Sequence, residues 1–181
     1  MEQIIKKRQA LKTFANWSEL NKQTRNDIAY MSIAFITASL SKAVRSKVGA
    51  IIVKDGIICS SGYNGTPRGT DNACEYIDGN NVLHTHEFVI HAELNALLNM
   101  LIGGAGTQVK NATAYITYSP CIRCASMLKQ AGISRVVFSI PYRDDSGIRY
   151  LMDNGVLVEQ ICPEVMDKFM IEFANNNISH K

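Results

Sequence analysis

Long hydrophobic runs are missing from this chain of 181 residues. The longest mostly apolar stretch, residues 28–40, is interrupted by Ser32, Thr37 and Ser39, whereas a membrane-spanning helix needs about 20 consecutive apolar residues. The chain starts polar and basic, unlike a secretory leader, so a cytoplasmic protein with no membrane partner is expected. Cysteine is sparse as well: five residues are too few for a secreted disulfide scaffold, and two of them stand in a C-x-x-C that suits thiolate ligands in a reducing compartment. Charge of one sign is not concentrated. The formal net charge is +3, and Lys and Arg are scattered apart from Lys6-Lys7-Arg8, which fits a small anionic substrate better than a nucleic acid. Internal repeats and low-complexity segments are also lacking. What remains, 46% hydrophobic and 19% charged, is the composition of a globular protein, at a length that fits one core.

Along the chain, Ile4, Ile5, Leu11 and Phe14 among charges suggest a short helical arm over residues 1–20, preceding one domain over 21–181. Ile28, Met31, Ala34, Phe35 and Ala38 recur at helical spacing and predict a half-buried helix over 24–43. Two strands follow, 48–53 and 56–61, joined by a tight turn at Lys54-Asp55 with Asp-Gly chemistry. Residues 62–87 are rich in Gly, Pro, Asn and Asp without a period and read as a long irregular insertion, a kind of loop that is usually functional. A buried helix is expected from His91 to Gly103-Gly104. Then come a strand over 112–117, a helix over 121–131 closed by Gly132, a strand over 134–140, a helix over 145–153 and a strand over 156–160. A frayed end is expected from Asn175. Alternating strands and helices predict an α/β fold whose later strands are parallel.

Chemistry concentrates in two short motifs. His91-Ala92-Glu93 and Pro120-Cys121-Ile122-Arg123-Cys124 together offer three zinc ligands, His91, Cys121 and Cys124, and one spare carboxylate, Glu93. A structural zinc takes four protein ligands; a catalytic one takes three and leaves a position for water. Ser119 and Pro120 are expected to start the helix that carries the cysteines, whose three-residue spacing puts both on one face. Glu93, two residues beyond His91, falls off the ligand face and is free to act as general acid and base. A lone C-x-x-C is more often half of a structural zinc site or a redox pair. Neither explains His-Ala-Glu, whereas H-x-E with P-C-x-x-C is the signature of zinc nucleobase deaminases.

With these motifs, and with Val48-Gly-Ala-Ile-Ile-Val53 and Gly62-Tyr63-Asn64-Gly65-Thr66-Pro67-Arg68-Gly69, the chain resembles the deoxycytidylate deaminases of the cytidine deaminase superfamily over about residues 29–160. The resemblance implies a three-layer α/β/α domain with a mixed five-stranded sheet, hydrolysis of dCMP to dUMP, a Zn²⁺ cofactor, and a homo-oligomer, a hexamer in this branch. It also implies activation by dCTP and inhibition by dTTP, with Mg²⁺ accompanying the triphosphate, and an effector site at Gly62, Tyr63, Asn64, Gly65, Thr66, Pro67, Arg68 and Gly69. Glycines at 62, 65 and 69 would let a backbone approach phosphates closely. For the substrate, the resemblance points to Asn64 at the sugar, Tyr142 near the base, and the Ala92 and Ser119 positions. Arg45, Lys47, Arg123 and Arg143 are all placed plausibly for a 5′-phosphate, and the sequence does not rank them. Some relatives hold a second zinc in the insertion. Cys74, His84 and His86 stand there in this chain, but Val89-Ile90 precede His91 and Ala43-Val44 offer no thiol.

Two other readings use the same residues. A deaminase acting on cytosine or adenine in a polynucleotide predicts a basic groove and strong salt dependence. A zinc-stabilised regulatory domain that binds nucleotides without turnover leaves Glu93 without a purpose.

Overall fold

The computed structural model describes residues 17–104 and 109–177. Five strands form one mixed sheet in the order β2-β1-β5-β6-β7. They are β1 (Gly49–Lys54), β2 (Ile57–Tyr63), β5 (Thr113–Tyr118), β6 (Arg135–Ile140) and β7 (Leu157–Gln160), with β3 (Glu75–Ile77) and β4 (Leu83–Thr85) making a separate hairpin. β1 runs antiparallel to β2 and β5, while β5, β6 and β7 are parallel. The helices are α1 (Lys22–Ala38), α2 (Ala92–Ile102), α3 (Ile122–Ala131), α4 (Ser146–Asp153) and α5 (Pro163–Asn177), preceded by a 3₁₀ turn at Trp17–Glu19.

Alternation along the strands divides the core into two layers, because successive side chains of a strand point to opposite faces. Ala50, Ile52, Ala114, Ile116, Val136, Phe138 and Val158 pack with Ala92, Ala96 and Met100 of α2, Ala125 and Leu128 of α3, and Leu151 of α4. On the other face Ile51, Val53, Tyr115 and Val137 meet Ile28, Met31 and Ala34 of α1 and Val165 and Met166 of α5. The result is the expected α/β/α arrangement. The crossovers β5-α3-β6 and β6-α4-β7 step in the same direction along the sheet and place their helices on the same face, as a common hand of connection requires. Hydrogen bonds to Asp27 and Glu159 satisfy the one guanidinium in the sheet region, that of Arg135, and tie α1 to β6 and β7.

Several expectations need correction. α1 begins at Lys22, capped by the Asn21 side chain on the Thr24 amide at 2.9 Å, and ends at Ala38 instead of residue 43. The Ser39 and Leu40 amides close the last turn onto Ile36 and Thr37. The hairpin turn between β1 and β2 is centred on Asp55-Gly56, one residue later than expected, with φ of 51° and 80°, the doubly left-handed pair of a type I′ turn. The insertion is not wholly irregular: Glu75, Tyr76 and Ile77 pair with Thr85, His84 and Leu83, in strands too short to show a period. Residues 178–181 lie outside the described residues, but Asn175, Asn176 and Asn177, also expected to fray, complete helix α5. Its packing on the sheet through Val165 and Met166 supplies the stability that sequence propensity did not. The arm expected over 1–20 lies largely outside the described residues; Trp17 stacks on Phe169 at 4.6 Å between ring centres.

Candidate zinc centre and active site

β5 and β6 end beside each other on one side of the sheet, where the chain turns into α3 and the loop carrying Tyr142. Ligands of open α/β sheets bind outside such strand ends. His91 is the N-cap residue of α2 and Cys121 that of α3, both in extended conformation and neither using its side chain as a cap. Ser119, expected to start the cysteine helix, does not cap it; its hydroxyl accepts the Tyr142 amide at 2.7 Å and fastens the two loops together. The side chains at the N-cap positions are thereby free for another role, and two positive helix ends converge on them.

His91 Nδ1 lies 3.7 Å from Cys121 Sγ and 3.4 Å from Cys124 Sγ. A tetrahedral zinc with Zn–N of about 2.0–2.1 Å and Zn–S of about 2.3 Å sets that spacing at about 3.6 Å, so the donors fit the ion. These three are the only group of three or more such ligands among the described residues. Packed this closely, the two thiols compete for one proton. Cys121 is held down to about 3, chiefly by the Cys124 and His91 hydrogen bonds. Cys124 is pushed up, first by donating to Cys121 and then by burial. His91 is raised, chiefly by its bond to Cys121. A divalent cation resolves this competition, because it favours both thiolates.

Glu93 is 5% exposed and outside the ligand group. Burial is the main cause raising its carboxyl above the usual range, the direction that suits a group which must both take up and give back a proton. It lines a cavity of about 550 Å³ together with His91, Ala92, Cys121, Asn64, Ser119 and Tyr142, so every substrate position expected from the sequence reaches one space. Arg45 and Arg143 are at this cavity; Lys47 and Arg123 are not among its lining residues. Asn64 spends its amide on the backbone, accepting from Val48 N at 2.8 Å and donating to Ser46 O at 2.9 Å. It therefore shapes the wall that carries Arg45, and one amide proton is left for a ligand. Tyr142 is overlain by the Arg143 guanidinium, 5.5 Å from its ring centre.

The loop 62–69 has a more mechanical side than its composition suggested. A side chain on Gly62 would meet Ala96 N at 2.3 Å and Ala92 O at 2.6 Å, so this glycine serves close packing of β2 on α2. Asn95 donates to Tyr63 O at 2.7 Å and Arg68 to Asn99 Oδ1 at 2.8 Å, binding the loop along α2. Thr66 reaches Asn72 at 3.3 Å, the Thr70 hydroxyl donates to Pro67 O at 2.7 Å, and Gly65 bridges to Ile90. In the insertion, His84 pairs with Asp78 at 2.9 Å and His86 stacks on Phe88 and meets Tyr76 at a tilt. Cys74 is buried, and these residues form no three-ligand group.

Sequence reasoning missed Gly147, in the first turn of α4, whose Cβ would fall 2.1 Å from Pro120 O and 2.9 Å from Cys121 C. Its signal was available: a glycine inside a predicted helix costs about 1 kcal/mol relative to Ala unless something approaches closely. Glu75 and Thr85 were missed without any such signal.

The family model for the cytidine and deoxycytidylate deaminase zinc-binding region matches residues 24–140. The chain belongs to this family. It is 36% identical to the deoxycytidylate deaminase of Pongo abelii over 174 residues, spanning 88% of this chain and 95% of that protein. It is 37% identical to the deoxycytidylate deaminase of Saccharomyces cerevisiae over 142 residues, 74% of this chain but 44% of that protein. Among solved structures, a dCMP deaminase from the cyanophage S-TIM5, crystallised with dCMP and dUMP, superposes with a TM-score of 0.69 at 37% identity, covering 78% of this chain and 99% of the phage chain. Family membership and the mixed sheet agree with the fold and chemistry expected from the motifs. No helix of the described residues is long and apolar enough to cross a membrane.

Proposed function

We propose that this chain hydrolyses dCMP to dUMP and ammonia. The observation that carries the reading is a single cavity lined by His91 and Cys121 of the three-ligand group, by the buried spare carboxylate of Glu93 and by the two cationic side chains Arg45 and Arg143. His91, Cys121 and Cys124 would hold zinc, which when bound supplies the Lewis acidity that lowers the pKa of water from 15.7 to about 7. Glu93 takes the proton that the attacking water gives up at the amine-bearing carbon and delivers it to the ring nitrogen. It then carries a second proton to the departing amine, so that water is consumed and ammonia leaves. Burial keeps the carboxylate away from bulk water, and its place outside the ligand group keeps its oxygens available. Arg45 and Arg143, rather than Lys47 or Arg123, receive the 5′-phosphate. Tyr142 flanks the base and Asn64 the sugar.

The same reading includes a homo-oligomer, hexameric by resemblance, activated by dCTP and inhibited by dTTP with Mg²⁺ on the triphosphate. Support for an effector site comes from the loop 62–69, whose Tyr63 and Arg68 are fastened to Asn95 and Asn99 of α2. A ligand there would bear on the helix that starts at His91. Thiolate ligands suit a reducing, cytoplasmic compartment.

Ammonia release from dCMP, deoxycytidine and a cytosine-containing oligonucleotide, measured separately, tests the reaction. Preference for the monophosphate is expected; turnover of the oligonucleotide alone would transfer the site to the polynucleotide class. Adding dCTP or dTTP to the dCMP assay tests the regulation.

A further inference from the structure

The segment 39–48 between α1 and β1 contains no helix or strand, yet it supplies Arg45, Ser46 and Val48 to the cavity. Its ends are secured: the Ser41 hydroxyl donates to Asn64 O at 2.7 Å, and Asn64 holds Ser46 and Val48. Its middle is held from the insertion. The Glu75 carboxylate accepts the Val44 amide at 3.1 Å through one oxygen and the Arg45 amide at 3.3 Å through the other. Directly across the hairpin from Glu75 stands Thr85, whose hydroxyl is 3.4 Å from Arg45 Nη1. One cross-strand pair therefore grips both the backbone and the guanidinium of the same arginine. The pair is itself anchored, because the residue before Glu75, Cys74, is buried and accepts the His86 amide at 2.9 Å.

From this we propose that Glu75 is a positioning residue for recognition of the substrate's 5′-phosphate, acting through Arg45. A carboxylate that also lines the cavity would repel a phosphate if left free. Bound to two amides, its charge is engaged, and what it presents to the ligand is a fixed Arg45. Long side chains lose considerable rotamer freedom when they order around a ligand, so an arginine held in place beforehand binds phosphate at a lower entropic cost. The inference rests on the reading of the cavity as a nucleoside-monophosphate site.

The test measures kcat and KM for dCMP and deoxycytidine in the wild type and in Glu75→Ala, Glu75→Gln, Arg45→Ala and the Glu75→Ala/Arg45→Ala double variant. Glu75→Ala should raise KM for dCMP on the order of tenfold, leave kcat near its original value, and leave deoxycytidine kinetics unchanged. Glu75→Gln, with one acceptor retained, should fall between. The double variant should be no worse than Arg45→Ala, since residues acting through one contact do not add. The ratio between the two substrates is internal to each sample, so a smaller folded fraction cannot imitate the effect. If Glu75→Ala is insoluble, Glu75→Gln carries the comparison, and if deoxycytidine turnover is too slow to measure, the double variant on dCMP decides. Equal losses on both substrates, or losses that multiply in the double variant, would overturn the proposal. A wild type that does not deaminate dCMP would instead overturn the assigned reaction.

Discussion

Substituting Gly147 by alanine should disable the enzyme from outside its active site. The added Cβ would sit 2.1 Å from Pro120 O, 2.9 Å from Cys121 C and 3.0 Å from Cys121 O, all backbone atoms with no rotamer by which to escape. Ordinary contact begins near 3.4 Å, so α4 and the Pro120–Cys121 segment must separate by about 1 Å or more, and overpacking of this kind costs about 1–3 kcal/mol. For a domain of this size that is a fall in Tm of roughly 2–12 °C. Cys121 is one of the three metal ligands, and a misplacement of about 1 Å near reacting groups can cost 10²-fold in rate. Zinc content by elemental analysis, kcat with dCMP and thermal unfolding should therefore all decline in Gly147→Ala. Gly79→Ala, where no atom lies within 4 Å of the new Cβ, is the control. Normal zinc content, turnover and Tm in Gly147→Ala would refute the argument that close approach at this glycine sets the ligand position.

Glu93→Gln should keep its zinc and lose turnover by about 10²- to 10⁴-fold; wild-type rates in a zinc-loaded sample would remove Glu93 from proton transfer. Asp27→Ala leaves Arg135, 14% exposed at its side chain, with Glu159 but without Asp27, and should destabilise the fold by roughly 2–3 kcal/mol, below the range for a fully broken buried pair. Chemical denaturation of wild type and variant checks it, and a difference near zero would show the network to be dispensable. Tyr115 is buried and donates to Asp27 at 2.6 Å, and burial first, then that bond, raises its pKa above the ordinary tyrosine value of 10.0. Its folded form thus keeps a proton that the unfolded chain releases. The contribution is whole below pH 10 and is lost as pH rises beyond it, by up to about 1.4 kcal/mol per unit. Denaturant midpoints between pH 9 and 11 should fall less steeply in Tyr115→Phe than in the wild type; parallel slopes would contradict the assignment.

Much of the centre was legible in the sequence because its signals are local. His91 with Glu93, and Cys121 with Cys124, are two pairs whose spacing along a helix start already decides which groups can share a metal and which cannot. A tight turn with Asp-Gly chemistry was readable for the same reason, although its centre at Asp55-Gly56 lay one residue beyond the expected one, and the α/β alternation followed from short periodic segments. Legibility ended where the partners are remote. β3 and β4 are three residues each and are held by their pairing, and α5 is held by the sheet face it covers. Four cations looked equivalent as phosphate ligands until the segment after α1 was seen to bring Arg45, and the loop after β6 to bring Arg143, to the cavity that holds Glu93.

By itself the sequence determined the donor set, the free carboxylate and the alternation of strands and helices, because each depends on residues within a few positions of one another and on fixed backbone periods. The tertiary structure alone decided that Glu75 steadies Arg45 across 30 residues, that Gly147 sets the seat of Cys121, and that Asp27 answers Arg135. Those contacts arise from how layers pack, and packing joins residues whose separation along the chain carries no signal.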